Sequence, residues 1–455
     1  MNAVENSWGI VGDFMILSLL LGVAILMKKL IKPLNKLLIP NAVLAGFLGM
    51  AFGPGGLNLL NFSYDRLGIL VYHLMAIGFI SIALKKRKAA SSRSAMNTGF
   101  FIAISYAIQG IIGFSIAMVL AYTFFPNLFI PFGLLLPLGF AQGPGQAYSI
   151  GSQWEALGFE NGGTIGLTIA AIGFLWATFG GIVMLNVLVK GKRARKIVPE
   201  RPQVVEKVET IVRDYEFSDI DGMTIQAMVV GSVYLVTYLF LKYFTSWIGN
   251  FGTFGETFAQ VLWGFHFVIG VIFAFSFRGT YDFFRKKKKR EYLNSFLLQR
   301  IAGLVFDYMV AASIAAISLE LIKEYMIPIL IITTAGGLAT AAYTIYFSKW
   351  IYKHAVMEHI VTFFGMHTGT ISTGIALLRE LDPQFESGTA EDMVIGSGFA
   401  LFLGLPLMII INIPILGFKL GRPVYYFYTL LALLFYFSIM YIFWFLKIKR
   451  SKVRK

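Results

Sequence analysis

Long apolar runs with few or no charged residues constrain the fold of this chain more than any other feature. Runs of about 20 residues recur along the 455-residue sequence, and each is long enough to cross a lipid bilayer as a helix. They make the chain 57% hydrophobic and only 14% charged, whereas a soluble domain carries about 25% charged residues. The sequence therefore predicts an all-α polytopic membrane protein.

We expect eleven crossings of the membrane and two interrupted segments among them. The predicted spans lie at about 8–27, 38–60, 66–84, 96–125, 162–189, 223–247, 256–277, 300–322, 326–348, 389–418 and 423–446. The interrupted segments, at about 128–156 and 355–383, are expected to enter and leave the membrane on the same side, as re-entrant hairpins.

The basic residues orient these spans. With the N-terminus outside and the C-terminus in the cytoplasm, all but five of the 39 Lys and Arg residues lie in cytoplasmic loops or at adjacent helix ends. The five are Arg66, Lys242, Lys323, Lys419 and Arg422. Because Lys and Arg collect on the cytoplasmic side, the net charge of +15 indicates contact with anionic membrane lipid rather than nucleic acid. The expected location is the cell membrane.

A polar linker divides the sequence into two membrane halves. Residues 191–222 contain two prolines and mixed charges, and they separate a first repeat at 1–190 from a second repeat at 223–418. Residues 419–455 add one extra transmembrane helix and a basic tail. The string Val-Leu-Ala-Gly-Phe at 43–47 recurs as Val-Leu-Trp-Gly-Phe at 261–265, and other short matches follow in the same order. This order favours a duplicated unit of five helices.

The two repeats are expected to have inverted topology, because the first begins outside and the second in the cytoplasm. The interrupted segments would then enter the membrane from opposite faces. In the first, Gly143-Pro144-Gly145 removes a backbone donor and favours non-helical dihedral angles. In the second, Gly369 lies in a similar stretch. Paired interruptions at matching places in two halves indicate the binding site of a transporter.

The candidate site consists of small and polar residues at the two interruptions. Helix N-termini there suit a carboxylate, and carbonyl and hydroxyl oxygens suit Na⁺. The candidate substrate-binding residues are Gln142, Gly143, Pro144, Gly145, Gln146 and Ser149 in the first segment, Gln109 in the span before it, and Thr368, Gly369 and Thr370 in the second segment. The candidate Na⁺ ligands are Ser372, Thr373 and Asp307. The alternative is that the glycines permit close helix packing while the polar side chains bond across helices.

Two further polar residues lie inside predicted spans. Gln109 needs a hydrogen-bond partner at membrane depth and could bond the tip of the first interrupted segment or simply a neighbouring helix. Asp307 is an intramembrane carboxylate, which by default is a cation ligand or proton carrier; an ion pair or an interfacial position is the alternative. His367 adjoins the second interruption.

With two five-helix units and two interrupted segments, the chain resembles the glutamate:sodium symporter family. The resemblance covers about residues 8–418. Its specific parts are Ile39–Gly46, Gln109–Gly113, Gly139–Ser149, Gly173–Gly181 and Phe364–Ala376. It implies Na⁺-coupled uptake of glutamate, a homodimer, and a transport unit that slides against a fixed scaffold.

The chain departs from the family pattern at three places. Family members tend to have His-Gly-Thr-Gly at the first tip, where this chain has Gln142-Gly143-Pro144-Gly145. The second tip lacks the family's Thr-Pro-Thr and has Thr370-Ile371-Ser372-Thr373 instead. The eleventh, C-terminal span has no counterpart in the family pattern. These departures leave a small carboxylate other than glutamate as an alternative substrate.

The expected function is secondary active transport: Na⁺-coupled symport of glutamate or a related small anionic solute by alternating access. Na⁺ serves as the coupling ion, and no other cofactor is expected. The alternatives are a carrier of 2-hydroxycarboxylates or a proton-coupled organic anion carrier, and then a channel or a non-transporting receptor. An enzyme is not expected, because the spans hold few ionisable groups and the chain has no cysteine.

Overall fold

Helices are the only regular elements among the residues that the structure describes. The structure is a computed structural model that describes residues 3–31, 39–86, 92–190, 221–251, 255, 259, 262–285, 292–318, 320, 323–382 and 387–453. The predicted linker falls almost wholly outside the described residues, since only its last two residues, Asp221 and Gly222, are included.

Eight helices form the first half. They are α1 (Ala3–Leu30), α2 (Asn41–Phe52), α3 (Tyr64–Ala83), α4 (Ser92–Thr123), α5 (Ile130–Gln142), α6 (Pro144–Glu155), α7 (Gly162–Leu175) and α8 (Gly181–Lys190). Helix α5 begins with a 3₁₀ turn and ends with a π turn, and a second π turn, Trp176–Gly180, joins α7 to α8.

Ten helices form the remainder. They are α9 (Gly222–Gly249), α10 (His266–Arg285), α11 (Ser295–Ala315), α12 (Met326–Ile351), α13 (Val356–Thr368), α14 (Ile371–Leu381), α15 (Thr389–Leu403), α16 (Leu405–Ile410), α17 (Ile413–Lys419) and α18 (Val424–Val453). The apolar run through α15, α16 and α17 bends by 43° at Gly404. Pro406, just after the bend, has no backbone N–H to continue the α15 hydrogen-bond ladder.

The prediction of an all-helical chain rich in membrane spans is confirmed for the described residues. They contain nine helices long and apolar enough to cross a membrane, or ten if the bent pair counts as one span. The expected span at 38–60 contains only α2, whose 12 residues are too short to cross the bilayer as a helix. Of the span expected at 256–277, residues 256–258, 260 and 261 lie outside the described residues, and residues 266–277 belong to α10.

The helices pack into two groups. In the first group, α3 and α11 pack against each other, α2 packs on α11, α10 packs on α3, and α1 and α9 lie outside them. In the second group, α4 and α12 pack together with the two interrupted segments, α5–α6 and α13–α14. Helices α7 and α15 flank these segments, on α6 and α4 respectively. The functional candidates of both halves, Asp307 excepted, lie within the second group.

Helix α6 carries much of the contact between the groups. The Tyr148 ring lies directly against Gly68 of α3, and a Cβ atom on Gly145 would lie 2.7 Å from Met75 Sδ. Ser149 Oγ donates a 2.7 Å hydrogen bond to the Gly264 carbonyl just before α10. The first interrupted segment therefore touches elements from both halves of the sequence.

The extra C-terminal helix, α18, belongs to the second group. It packs on α4, α16 and α17, and Tyr436 Oη donates a 2.8 Å hydrogen bond to the Leu403 carbonyl at the bend. Because that bend leaves carbonyls without helical partners, the tyrosine satisfies one of them. Helix α18 thus stabilises the joint between α15 and α16.

Candidate functional site

The first interruption is a backbone conformation that only glycine readily adopts. Gly143 has φ 99° and ψ 170°, a region that side-chain-bearing residues avoid because of the Cβ atom. Pro144 then occupies the first position of α6, where its missing N–H is not needed and its fixed φ suits a helix. The Gly-Pro-Gly sequence therefore ends one helix and starts the next within buried surroundings.

The second interruption is closed by reciprocal threonine caps. Gly369 ends α13 with φ −141° and ψ −108°, and Thr370 caps the start of α14. The Thr370 side chain accepts from the Thr373 backbone N–H, and the Thr370 backbone N–H donates to Thr373 Oγ1 at 2.8 Å. This capping box fixes where α14 begins.

The two interruptions lie against each other. A Cβ atom on Gly143 would lie 3.9 Å from Thr370 Cγ2. Gly173 of α7 approaches the same place, since a Cβ atom there would overlap the Thr368 carbonyl and lie 2.9 Å from the Phe140 ring. The structure therefore brings the two predicted clusters into one place, and α6 and α14 both begin there.

Two helix N-termini give this place an anion-binding character. Apart from Pro144, which has no N–H, and Thr373, whose N–H bonds the Thr370 side chain, the first turns of α6 and α14 contain backbone N–H groups without intrahelical acceptors. Each N-terminus also carries a positive partial charge. Helix α6 has 12 residues and α14 has 11. A carboxylate or phosphate is the group that such a pair of N-termini can hold.

Two glutamines beside Gly143 have unused hydrogen-bonding atoms. Gln142 Nε2 and Gln146 Oε1 are buried and find no partner within the described part of the chain. Gln146 is only 3% exposed. An unpartnered buried polar atom costs about 1–3 kcal/mol, so a ligand that satisfied both amides would remove that cost. Gln142 therefore offers an unused donor and Gln146 an unused acceptor beside the first interruption.

Gln109 bonds neighbouring helices at the second interruption, which is one of the two alternatives expected for it, and does not reach the tip of the first. From α4, its Nε2 donates to the His367 carbonyl at 2.8 Å and to Thr340 Oγ1 at 2.9 Å. Gln109 thus joins α4, α12 and α13, and it satisfies a carbonyl that the end of α13 leaves free. Its Oε1 is buried without a partner in the residues described.

Oxygen atoms converge at Thr373. Its Oγ1 lies 2.6 Å from the Gly365 carbonyl and 2.7 Å from the Thr370 carbonyl. One hydroxyl proton can serve only one of these carbonyls at a time, so the other keeps a free lone pair. Ser372, the neighbouring candidate, has an exposed side chain. Thr368 Oγ1 is engaged within its own helix, by a 2.8 Å bond to the Phe364 carbonyl.

Asp307 and Ser149 have positions that differ from those expected. Asp307 lies on an exposed face of α11, in the first helix group, whereas Ser372 and Thr373 lie on α14 in the second. Helix α11 packs on α2 and α3 through its buried face, and Asp307 points away from that face. Asp307 is therefore not grouped with Ser372 and Thr373 as a Na⁺ ligand. The Ser149 hydroxyl is occupied by Gly264, so it joins the helix groups rather than facing the interruptions.

His367 is a residue at the site for which no role was predicted. It is fully buried in the last turn of α13, between the rings of Phe101, Phe363 and Tyr343. The sequence signal that could have placed His367 on a buried face is its four-residue spacing from Phe363 and His359, because residues four apart share one helix face. No group of three or more His, Asp or Glu side chains that could hold a metal ion occurs in the described ranges.

Comparison with known proteins suggests no function for this chain, so a function is assigned from the geometry of the site. No protein-family model, no curated protein and no solved structure matches the chain.

Proposed function

We propose that this protein is a secondary active transporter that couples inward Na⁺ flow to the uptake of a small carboxylate, with glutamate as the first candidate. One observation carries the proposal. Two interrupted segments, one from each half of the chain, meet at Gly143 and Thr370, and a helix begins at each interruption. Broken helices of this kind form the solute and ion sites of many transporters.

The anionic solute is supported by the two helix N-termini and the nearby amides. The positive ends of α6 and α14 favour a carboxylate, and Gln142 and Gln146 offer unused hydrogen-bonding atoms. No Lys or Arg occurs in α5, α6 or α13, and Arg379 lies in the last turn of α14, at the end away from the interruption. Backbone groups at the helix starts therefore supply the proposed attraction for the anion.

Na⁺ is supported by the oxygen atoms around Thr373. Hard cations prefer carbonyl and hydroxyl oxygens, and unwound backbone supplies them in transporters. The Gly365 and Thr370 carbonyls and the Thr373 hydroxyl provide three such oxygens at the second interruption.

Inverted repeats are supported by the order and packing of the helices. Each half contains three helices of the first group, then one long helix of the second group, and then an interrupted segment. A flanking helical run that is itself broken follows, α7–α8 in the first half and α15–α17 in the second. The packing is reciprocal: α2 of the first half packs on α11, while α10 of the second half packs on α3.

Alternating access is supported by the division into two helix groups. We propose that the second group, which carries both interruptions, moves against the first across the surface of α6 and α7 that contacts α3 and α11. The N-out orientation and a homodimer in the cell membrane are further parts of the proposal, and they rest on the basic-residue distribution and on the family resemblance.

Uptake by proteoliposomes tests the function. A thermal-shift screen of amino acids and carboxylates with and without Na⁺ first identifies the solute, since a ligand raises the melting temperature of the state it binds. We expect an inward Na⁺ gradient to drive uptake of that solute and choline to support none. Uptake that needs only a proton gradient would favour the proton-coupled alternative, and current without a second gradient would favour a channel.

Thr373→Val should weaken Na⁺ binding. The valine removes one oxygen ligand and the hydroxyl that caps α14, so we expect at least about a tenfold rise in the Na⁺ concentration that half-saturates uptake. Thr373→Ser keeps the hydroxyl and should behave as the wild type. An unchanged Na⁺ dependence in the valine variant would remove Thr373 from the Na⁺ site.

A further inference from the structure

The two interrupted segments differ in how they contact the first helix group. Helix α6 of the first segment packs on α3 and α11. The Tyr148 ring lies against Gly68, and a Cβ atom on Gly145 would lie 2.7 Å from Met75 Sδ, so α6 runs antiparallel to α3. Helix α14 of the second segment packs on α13, on α15 and on the Trp176–Gly180 turn, which belong to the second group or flank it. The first segment therefore makes the more extensive contact with the first group.

Helix α14 presents an uncovered face. Ser372 and Arg379 are exposed and Ile375 is half-buried, and residues at this spacing share one side of a helix. Glu380, next to Arg379, is exposed as well. On the opposite side of the helix, Leu378 is fully buried. The uncovered face therefore begins beside the second interruption and continues to the end of α14.

Helix α11 of the first group has an uncovered face of matching length. Arg300, Gly303 and Asp307 are exposed, and they follow each other at the same spacing as the three residues on α14. A Cβ atom on Gly303 would meet nothing within 4 Å. An exposed carboxylate inside a membrane span is costly to place against lipid, which indicates that this face of α11 borders water.

We propose that α14 packs on this face of α11 in the opposite access state of the transporter, as α6 packs on α3 in the structure. The structure then has the site closed toward the outside by α6 and open toward the cytoplasm beside α14. When the second group moves, α6 leaves α3 and α14 reaches α11, so the closed and open sides exchange. This inference rests on the proposed function, because it needs inverted repeats and two access states.

The two uncovered faces are complementary in shape and charge. With α14 antiparallel to α11, three pairs of residues come together: Ile375 with Gly303, Ser372 with Asp307, and Glu380 with Arg300. The glycine leaves room for the isoleucine, the serine hydroxyl donates to the carboxylate, and the last pair has opposite charges. Gly68 has the corresponding role on α3, where the absence of a side chain admits the Tyr148 ring.

Gly303→Trp tests the docking of α14 on α11. A side chain at this position points into open space in the structure, so the variant should fold and bind L-glutamate with Na⁺ as the wild type does, measured by thermal shift. It should lose at least about nine-tenths of Na⁺-driven uptake, because the indole keeps α14 from reaching α11. Gly279→Trp on α10 is the matched control, since a Cβ atom there also meets nothing within 4 Å, and it should keep its uptake. Wild-type uptake by Gly303→Trp contradicts the proposal.

Cysteine cross-linking in proteoliposomes tests both contacts, since the chain has no native cysteine. Gln153→Cys combined with Gly264→Cys should cross-link, because a Cβ atom on Gly264 would lie 3.0 Å from Gln153 Cγ. Gly303→Cys combined with Ile375→Cys should cross-link during Na⁺-driven uptake of L-glutamate. Gly279→Cys combined with Ile375→Cys should not.

The two cross-links should exclude each other. Each should stop uptake until a reductant opens it, and mass spectrometry of a variant with both pairs should find either bond but never both in one molecule. A transporting protein in which positions 303 and 375 never cross-link overturns the docking and leaves the transporter intact. A wild type that takes up neither L-glutamate nor another carboxylate with Na⁺ overturns the proposed function instead.

Discussion

Gly143→Ala should lose at least about nine-tenths of Na⁺-driven uptake while the protein remains folded. An alanine cannot hold φ 99° and ψ 170° without about 1–3 kcal/mol of strain, so the backbone relaxes and the interruption moves away from Thr370. A shift of about 1 Å at a binding site is enough for a loss of this size. Uptake by proteoliposomes and thermal unfolding in detergent measure the two effects separately.

Gly388→Ala is the matched control. Gly388 also has a positive φ, 76°, and a Cβ atom there would meet nothing within 4 Å. It precedes α15, beyond both interrupted segments. This variant should pay a comparable backbone penalty and retain most of its uptake. Equal losses in the two variants, or wild-type uptake in Gly143→Ala, would contradict the assignment of Gly143 to the site.

Gln109→Leu should lower both stability and uptake. Leucine fills similar space but cannot donate to the His367 carbonyl or to Thr340, so a buried carbonyl at the second interruption loses its partner. We expect about 1–3 kcal/mol of destabilisation and at least about a tenfold loss of uptake. The first effect is measured by thermal unfolding and the second by transport at equal amounts of folded protein.

Asn412→Leu separates loss of function from loss of stability. Asn412 is another partly buried amide whose Nδ2 donates to a carbonyl, that of Met408, at 2.8 Å, but it lies at the joint between α16 and α17. The Asn412→Leu variant should be destabilised about as much as Gln109→Leu, and it should still transport the solute. If Gln109→Leu transports as well as Asn412→Leu at equal folded amounts, Gln109 is a structural residue only.

Local chemistry explains why both interruptions were predictable from sequence. Gly143-Pro144-Gly145 combines a conformation that favours glycine with a residue that lacks a backbone donor, and Gly369 is followed by Thr370, a residue type that caps helix starts. Such signals act over a few residues and need no knowledge of the rest of the fold. The same holds for the apolar length of the membrane spans.

Partners that lie far apart in sequence were not predictable in this way. The bond from Gln109 to the His367 carbonyl joins residues 258 apart in sequence, and it depends on how α4 packs against α12 and α13. The exposed position of Asp307 likewise depends on which face of α11 packs on α2 and α3. The π turn at Trp176–Gly180 changes the helical register without changing the apolar composition, so hydropathy does not reveal it.

A cryo-electron microscopy map of the protein in nanodiscs, with saturating Na⁺ and the carboxylate identified by thermal shift, would locate the solute directly. We expect its carboxylate between Gly143 and Thr370, within hydrogen-bond distance of first-turn N–H groups of both α6 and α14. Solute density elsewhere, with these two helix starts unoccupied or separated, would contradict the shared site on which the transport proposal depends.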